Sequence, residues 1–355
     1  MISTTTISKK KLKTMREDIL VDEPRTDKQK IEPLPRDRKP MARNPFWAIV
    51  NKEIADHVRS WRFIVMVALL VLTCLGSLYT AVTNMSAANN SDADSDFLFL
   101  KLFTLTDGTL PSFTVFISFL GPLLGIALGF DAINSEHNRG TLSRLLSQPV
   151  HRDYIINAKA LAALIVVSVM FFALSFLVMG LGLIRIGIPP TAEEFLRIIC
   201  FVIISIVYVA FWLNLSILFS VRFRQPATAA LCGISVWLFF TIFYQMLVSV
   251  VARASAPSAM ATPEQILQFQ NFIQALLRIV PSQLFSDATT TLLMPSVRSL
   301  GPLTMSQMVG TIPSPLPLGQ SLLVVWPQVT GMIAATILCF ALSYLSFMRK
   351  EIRPR

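Results

Sequence analysis

The side chains that could do chemistry in this 355-residue chain are few, and none is grouped as a catalytic site requires. Histidines can bind metals or act as general bases, but the three in this sequence share no HExxH pattern: they are His57, His137 and His151. The four cysteines form no CxxC pair and fall within long apolar stretches: they are Cys74, Cys200, Cys232 and Cys339. The sequence therefore predicts a non-catalytic protein without a metal site, in which the cysteines are small apolar packing residues.

Nucleotide binding is not predicted either. A P-loop needs the pattern GxxxxGK followed by Ser or Thr, because its backbone amides and its lysine hold the phosphates. No such pattern occurs in the sequence, and the pair Gly140-Thr141 lacks both the upstream glycine and the lysine. We therefore expect no ATP site and no cofactor in this chain.

One polar segment, residues 129–161, is too long for a simple turn and too patterned for a linker. Ser135 can cap a short helix and place Glu136 at the positive end of that helix. Gly140 then allows the chain to turn. A second short helix, capped by Thr141, is predicted to follow.

This second helix is apolar on one side and basic on the other. Its leucines and the proline that ends it are Leu142, Leu145, Leu146 and Pro149, and its basic neighbours are Arg144 and Arg152. The segment lies between two long apolar stretches that are predicted to cross a membrane. We predict that this helix lies across the cytoplasmic face of that membrane, where a groove in a soluble partner could bind it. The residues alone are equally compatible with an interfacial hairpin that has only a structural role.

The rest of the chain is strongly apolar. Hydrophobic residues make up 53% of it and charged residues only 15%, against about 25% charged residues in soluble domains. Six stretches reach the roughly 20 apolar residues that cross a bilayer: they are residues 63–82, 111–130, 160–184, 198–220, 227–251 and 322–347. The sequence therefore predicts an all-α integral membrane protein with six transmembrane helices, and it disfavours a large soluble enzyme.

The basic residues predict how these spans are oriented. Of the 31 Lys and Arg side chains, 25 lie at the two ends of the chain and in the second-to-third and fourth-to-fifth connections, and six lie on the other side. Because basic connections stay in the cytoplasm, both termini are predicted to be cytoplasmic. The net charge of +10 is then explained by topology and anionic lipid, and nucleic-acid binding is not predicted.

The chain before the first span has two parts. Residues 1–43 are rich in Lys, Arg, Asp, Glu and Pro, and such a segment buries too little apolar surface to fold. We predict a disordered basic cytoplasmic tail. It contains no apolar core of a signal peptide, so the first span is expected to be a retained anchor.

Residues 44–60 are predicted to form an amphipathic helix in the cytoplasmic interface of the membrane. Apolar residues recur at intervals of four on one side, joined by Trp47 at headgroup depth. The charged residues Lys52, Glu53 and Arg59 are placed on the other side. The helix is expected to run directly into the first span.

The six-span domain is predicted to cover residues 61–349, and residues 350–355 form a short cytoplasmic tail. The outer loop between the fifth and sixth spans, residues 252–321, is long. Within it, residues 262–265 have the pattern of a capping box. We predict that the helix starting there packs onto the outer mouth of the bundle and ends at Pro281. After Leu293 the loop is predicted to be irregular chain.

The cytoplasmic segment resembles that of the permease subunits of type-2 ABC exporters. In that family a Glu is followed by Gly-Thr-Leu, a Leu-Leu pair, Pro and a basic residue before the third span. The residues that match in order and spacing are Glu136, Gly140, Thr141, Leu142, Leu145, Leu146, Pro149 and Arg152. The sequence NKEIADHVRSWRF is similar to the family's N-terminal interfacial helix, with Lys52, Glu53 and Arg59 at matching places, and FMRKEI is similar to its ending.

The resemblance is closest in type to bacterial permeases of nitrous-oxide-reductase maturation and of sodium or drug export. It implies a multi-pass protein of a bacterial or archaeal plasma membrane, in contact with lipid. Two permease copies, identical or paralogous, would form the translocation pathway between them. Soluble ABC ATPase subunits would bind ATP and Mg and dock on the coupling helix within residues 131–159, so that the eight matched residues would contact them.

Other functions stay open on the residues alone. A stand-alone secondary transporter or channel usually has ionisable side chains inside its bundle, because a charge there is costly and is kept for function. The span interiors here offer only hydroxyls and Asn214, Gln245 and Gln328. An intramembrane enzyme would need a Ser/His, paired-Asp or metal constellation in the spans, and the sequence has none. A membrane assembly factor without transport fits the same pattern, and the apolar spans do not specify a substrate.

Overall fold

Nearly all of the residues that the structure describes are helical. The computed structural model describes residues 45–88, 97–106, 110–138, 140, 151–257, 261–297 and 315–349, and no strand occurs among them. In chain order the helices are α1 (Pro45–Arg59), α2 (Trp61–Ala88), α3 (Leu98–Thr104), α4 (Phe113–Gly129), α5 (Asn134–Asn138), α6 (Arg152–Ile186), α7 (Ala192–Arg222), α8 (Pro226–Leu238), α9 (Tyr244–Ala254), α10 (Pro263–Leu277), α11 (Pro281–Leu293) and α12 (Leu318–Arg349). A π-helical turn, Phe239–Phe243, joins α8 to α9.

Among the described residues, six spans are long and apolar enough to cross a membrane, which confirms the predicted all-α, six-span fold. They are formed by α2, α4, α6, α7, α8 with α9, and α12. Several helices run beyond the apolar stretches that predicted them, and α6 and α12 reach 35 and 32 residues. A helix can continue in this way because charged residues at its ends, such as Arg152 and Arg349, extend to the membrane interface.

The fourth span, α7, lies at the centre of the bundle. In its apolar window 67% of the residues are buried, against 11% in the fifth span. The close approach of α4 depends on two glycines: a Cβ at Gly125 would lie 2.8 Å from the carbonyl oxygen of Val209, and one at Gly129 would lie 2.8 Å from that of Leu213. Because small residues let helix backbones approach each other in a membrane, these glycines set the distance between α4 and α7.

The outer loop differs from its prediction in one respect. The capping box is confirmed, because the Thr262 hydroxyl accepts from the Gln265 amide and the Gln265 side chain accepts from the Thr262 amide. The helix that it starts, α10, contributes no buried residue and contacts the fifth span, where Tyr244 donates to the Leu276 carbonyl oxygen. The prediction did not include α11, which packs into the bundle with Phe285 and Leu292 fully buried. Pro281 is the first residue of α11, a position that suits proline.

At the far end of the bundle from α1, one arginine ties the outer connections together. Arg197 of α7 is fully buried, and its guanidinium donates to Glu193, to the carbonyl oxygens of Leu292 and Leu316, and to the hydroxyl of Ser321. These contacts use all five N–H donors of the side chain. A buried charge that is fully paired in this way is tolerated, so Arg197 joins α7 to α11 and to the start of α12.

Candidate functional site

A buried lysine near the start of α6 joins three separate segments. The Nζ atom of Lys159 lies 2.9 Å from Oε2 of Glu53 in α1 and 2.9 Å from Oε1 of Glu136 in α5. Its side chain is only 6% exposed, and those of Glu53 and Glu136 are 8% and 13% exposed. One ammonium therefore holds α1 and α5 against α6.

A second lysine completes the group on its exposed side. Lys52 Nζ lies 2.9 Å from Glu53 Oε1 and 3.8 Å from Glu136 Oε1, and its side chain is 55% exposed. It also contacts Asp56 at 3.2 Å. We call Lys52, Glu53, Glu136 and Lys159 the Lys159 cluster. Two cations face two carboxylates in it, so the formal charge of the cluster is balanced.

Packing of α1 on α6 explains why Glu53 is buried. Val50 is fully buried against Ala158 and Ala162, whose small side chains let α1 lie close to α6. Glu53 follows Val50 by three residues and therefore lies on the same side of α1. The prediction that Glu53 belongs to the polar side of this helix is wrong, because its partner Lys159 draws it into the contact.

The structure also gives the exposure of the other three residues predicted for this helix. Lys52 and Arg59 are exposed, and Trp47 is half exposed. Asn44, the first residue of the predicted range of this helix, lies outside the described residues. That α1 lies in the membrane interface stays a prediction.

The electrostatics of α1 favour ion pairing. Burial alone would raise the pKa of Glu53, but the charges and hydrogen bonds of Lys159 and Lys52 outweigh it and lower the pKa below its ordinary value. Burial likewise opposes ionisation of Lys52, yet Glu53, Asp56 and Glu136 raise the pKa of its ammonium. Burial lowers the pKa of His57, and the nearby charge of Glu53 only partly offsets this. Glu53 and Lys52 are therefore ionised at neutral pH, and His57 is neutral.

Two further contacts join the same end of the bundle. Arg152, at the start of α6, donates from Nη2 to the carbonyl oxygen of Phe347 at 2.7 Å, and its guanidinium lies 5.0 Å from the centre of the Phe347 ring. Arg62, at the start of α2, lies 2.6 Å from Asp131 and 4.8 Å from the centre of the Phe130 ring. The polar segment is thus attached to the first and sixth spans as well as the third.

The structure describes three of the eight residues that the family pattern picked out. Glu136 lies in α5, in the Lys159 cluster, and Arg152 contacts α12. Gly140 has a φ of 69°, a left-handed conformation that favours glycine, which confirms the predicted turn. The other five lie outside the described residues, and their role stays a prediction: they are Thr141, Leu142, Leu145, Leu146 and Pro149. Ser135 does not cap α5 as predicted, because its hydroxyl donates to the Asp131 carbonyl instead.

Several residues of this site were not predicted as such. Lys159 counted only toward the charge asymmetry, and Arg62, Asp131 and Phe347 were not singled out. One pattern could have indicated Lys159: it follows Arg152 by seven residues, so both lie on one side of α6. A lysine at the cytoplasmic end of an apolar span, on the same side as another cation, is a reason to look for a carboxylate partner.

The described residues contain no group of three or more His, Cys, Asp or Glu side chains placed to hold a metal ion. What the Lys159 cluster can do is mechanical. It fixes α1, α5 and α6 to one another through charged hydrogen bonds, which are stronger than neutral ones. The arrangement suits the transfer of a force from the polar segment to the spans.

Six apolar spans with a charged junction at one end define a multi-pass membrane protein. The family model described as "ABC-2 family transporter protein" matches residues 47–352. The chain belongs to this family and is a type-2 ABC permease subunit, which confirms the predicted resemblance. Membership implies association with ABC ATPase partners.

Two relatives support the same assignment. The chain is 28% identical over 207 residues to the "Probable ABC transporter permease protein NosY" of Pseudomonas aeruginosa, and the match covers 56% of this chain and 68% of that protein. It is also 28% identical over 211 residues to the protein of the same name from Stutzerimonas stutzeri, with 57% and 69% covered.

Proposed function

We propose that this chain is the membrane-spanning subunit of an ATP-driven exporter, in which ABC ATPase subunits act on residues 131–159. The Lys159 cluster then passes their movement to α1 and α6. The observation that carries the proposal is the position of Lys159 Nζ, which lies 2.9 Å from carboxylate oxygens of both Glu53 and Glu136. In this arrangement the chain is the non-catalytic subunit, and ATP and Mg are bound by its partner.

The Lys159 cluster supports this role because it makes three segments move together. Removing one partner of a buried ion pair leaves an uncompensated charge and costs about 3–5 kcal/mol. A force applied near Glu136 therefore does not separate α5 from α6. It is passed to α6 directly, to α1 through Glu53, and to α12 through the contact of Arg152 with Phe347.

The proposed contact with the ATPase lies on the apolar part of the segment. Leu142, Leu145 and Leu146 would supply the centre of the interface, since a few buried residues dominate protein binding. Glu136 and Arg152 are already engaged with other parts of the chain. We assign these two residues to holding the ends of the docking segment, beside Gly140, Thr141 and Pro149.

A second permease copy, identical or related, is part of the proposal. The apolar windows of the fifth and sixth spans are only 11% and 17% buried within the chain. These spans therefore offer large apolar faces on which another copy or lipid can pack. A pathway between two such copies agrees with the family resemblance.

The proposed location is a bacterial or archaeal plasma membrane, with both termini in the cytoplasm. The charge asymmetry supports this orientation, since 25 of the 31 basic side chains lie on one side of the predicted topology. The Lys159 cluster, Arg62 and Arg152 are at that same end of the bundle. An ATPase in the cytoplasm would meet this end.

The test uses the chain together with its ATPase subunit in lipid nanodiscs. Leu145→Asp places a charge in the proposed apolar interface, so we expect the ATPase to be lost on co-purification while the melting temperature is unchanged. Ser147→Asp is the matched control, because it adds the same charge on the opposite side of the same predicted helix. Unchanged docking and transport in Leu145→Asp would contradict the proposal and favour a stand-alone channel or transporter. Saturable ATP binding by the purified chain alone would contradict the assignment of ATP to the partner.

A further inference from the structure

A cavity of about 430 Å³ lies between α4, the fifth span and α11. Its volume falls within the range of small-molecule sites, roughly 300–1,000 Å³. It is close to the outer connections, and no residue of the Lys159 cluster lines it. Thr114 and Ser118 of α4 line one side, Thr241 and Gln245 of the fifth span line another, and Ser286 of α11 lines a third.

Many polar side chains in this cavity have no hydrogen bond to another described residue. They are Ser118, Thr241, Gln245, Ser282, Ser286 and Thr290, and we call the cavity that they line the hydroxyl chamber. Elsewhere in the spans, Ser168 and Ser205 each donate to a carbonyl one turn earlier at 2.8 Å. Ser118, Thr241, Ser282 and Thr290 are half-buried, whereas Gln245 and Ser286 are exposed. An unsatisfied polar group away from water is unfavourable, so the four half-buried side chains need water or a ligand.

Their placement distinguishes them from the other unpaired hydroxyls of the spans. Ser77, Ser175 and Ser343 also have no partner, but their hydroxyl oxygens are completely enclosed by the protein. The six side chains of the hydroxyl chamber face an open cavity large enough for several atoms. They can therefore be satisfied from outside the chain, whereas the three enclosed hydroxyls cannot.

Aromatic rings form the apolar part of the same wall. Phe119 and Trp237 meet edge to face, with ring centres 4.9 Å apart, and Phe285 lies on the α11 side. Rings of this kind bind apolar groups and the C–H faces of ligands. None of the described residues that line the chamber is charged. An ion would lose its hydration there without gaining a counter-charge, which is costly.

The π-helical turn gives the fifth span its shape at this point. Trp237, Thr241 and Gln245 are four residues apart and all line the chamber. In an α-helix, residues at intervals of four drift around the axis, because one turn takes 3.6 residues. The wider turn at Phe239–Phe243 offsets the drift, and such π-helical turns are frequent at functional sites.

We propose that the hydroxyl chamber binds an uncharged amphiphile with a hydrogen-bonding head. The hydroxyl or amide groups of the head would pair with the six unsatisfied side chains, and the apolar part would lie against Trp237 and Phe119. Binding of this class follows from the chamber itself. That this amphiphile is also the exported substrate rests on the proposed function. Binding to the chamber is measured without any ATPase, so a failure to bind is distinguishable from a failure of the proposed ATP-driven export.

The first experiment measures access to a thiol at Gln245. The four native cysteines are replaced, Gln245→Cys is introduced, and the full chain is placed in phosphatidylcholine nanodiscs. Three methanethiosulfonates of similar size are compared: neutral hydroxyethyl, cationic trimethylammonioethyl and anionic sulfonatoethyl. We expect the neutral reagent to react at least about tenfold faster than either charged one, because a charge is not stabilised in the chamber.

The control for access is Met246→Cys. Met246 is the next residue, is 60% exposed and does not line the chamber, so in lipid it should react slowly with all three reagents. Equal rates at Gln245→Cys for the three reagents would indicate an open aqueous vestibule and overturn the proposal. Rates as low as those of Met246→Cys would indicate a closed or lipid-filled space and also overturn it. If Gln245→Cys does not fold, Thr290→Cys on the opposite wall takes its place.

The second experiment measures binding by protection of that thiol. Hexyl β-D-glucoside is the neutral probe, and hexyltrimethylammonium and hexyl sulfate have the same chain with charged heads. We expect only the glucoside to protect Gln245→Cys, and Ser286→Ala to raise the concentration needed by at least about threefold, since one hydrogen bond contributes about 0.5–1.5 kcal/mol. Thr330→Val, a half-buried position on α12 that does not line the chamber, should leave protection unchanged. Equal protection by the charged probes, or none by the glucoside, would overturn the proposal.

Discussion

Arg152 and Phe347 are 195 residues apart in the chain, yet the guanidinium of Arg152 donates to the carbonyl oxygen of Phe347 at 2.7 Å and lies over its ring. This contact joins the end of the polar segment to the last turn of the sixth span. It uses the planar, delocalised charge of arginine, which a lysine cannot reproduce in the same geometry.

We predict that Arg152→Leu weakens the link between the polar segment and α12. A hydrogen bond from a charged group contributes about 1.5–3 kcal/mol, so the melting temperature should fall by several degrees and ATPase stimulation should decrease. Arg152→Lys should have a smaller effect, because the charge is kept. Arg349→Leu, an exposed change at the end of the same helix α12, is the control. Equal behaviour of Arg152→Leu and Arg349→Leu would contradict the prediction.

The two lysines of the Lys159 cluster should differ in their effect on stability. Lys159→Met leaves Glu53 and Glu136 buried without their shared cation, so we expect a loss of about 3–5 kcal/mol in the free energy of unfolding. Lys52→Met removes an ammonium that is 55% exposed, and exposed pairs contribute only about 0–1 kcal/mol. Unfolding by denaturant in a fixed detergent measures both values.

A double-mutant cycle shows whether the effect of Lys159 acts through its partners. Adding Glu53→Gln to Lys159→Met should restore part of the lost stability, because one of the two carboxylates that lost the buried ammonium is then neutral. The same substitution in the native background should be destabilising. Effects that simply add would show that Lys159 and Glu53 are not energetically coupled.

The pH dependence of stability should have two parts. Burial holds the pKa of His57 below its ordinary 6.5, so the stability that neutral His57 contributes is complete above about pH 6.5 and is lost as the pH falls through the folded pKa. The pKa of Glu53 lies below 4.5, so its contribution is lost only at still lower pH. Melting temperatures from pH 8 to pH 4 should therefore decline first below about 6.5, and His57→Gln should remove this first decline. Its persistence in His57→Gln would assign it to another group.

The close contact between α4 and α7 predicts that Gly125→Ala is destabilising. Its Cβ would lie 2.8 Å from the Val209 carbonyl oxygen, and overpacking of this kind costs about 1–3 kcal/mol. Gly180→Ala is the matched control, since nothing lies within 4 Å of its Cβ position in α6 and alanine favours helix more than glycine. We expect Gly180→Ala to have an equal or higher melting temperature than the native protein. If Gly125→Ala had the same melting temperature as the unsubstituted protein, α4 and α7 could move apart without a loss of stability.

The spans could be predicted from the sequence because the bilayer imposes a length and an apolar composition on each of them. The position of Glu53 could not, since local periodicity places it on the charged side of α1, and its partner Lys159 lies 106 residues further on. Pro281 shows a similar limit: a proline both ends one helix and begins the next, so the end of the first helix was predicted there and α11 was not. Five of the eight matched residues of the coupling segment lie outside the described residues, so for these the family pattern stays a prediction.

Arg197 has a consequence for how the bundle can move. Because three of its five hydrogen bonds join α7 to α11 and to the start of α12, that end of the bundle cannot shift one helix at a time and would act as a fulcrum. From Arg197 to Arg222 the helix α7 extends about 37 Å at a rise of 1.5 Å per residue, so a tilt of about 5° would displace its other end by about 3 Å. The helix α7 would then work as a lever: a small rotation about Arg197 would accompany a displacement of a few ångströms at the end of the bundle that holds the Lys159 cluster.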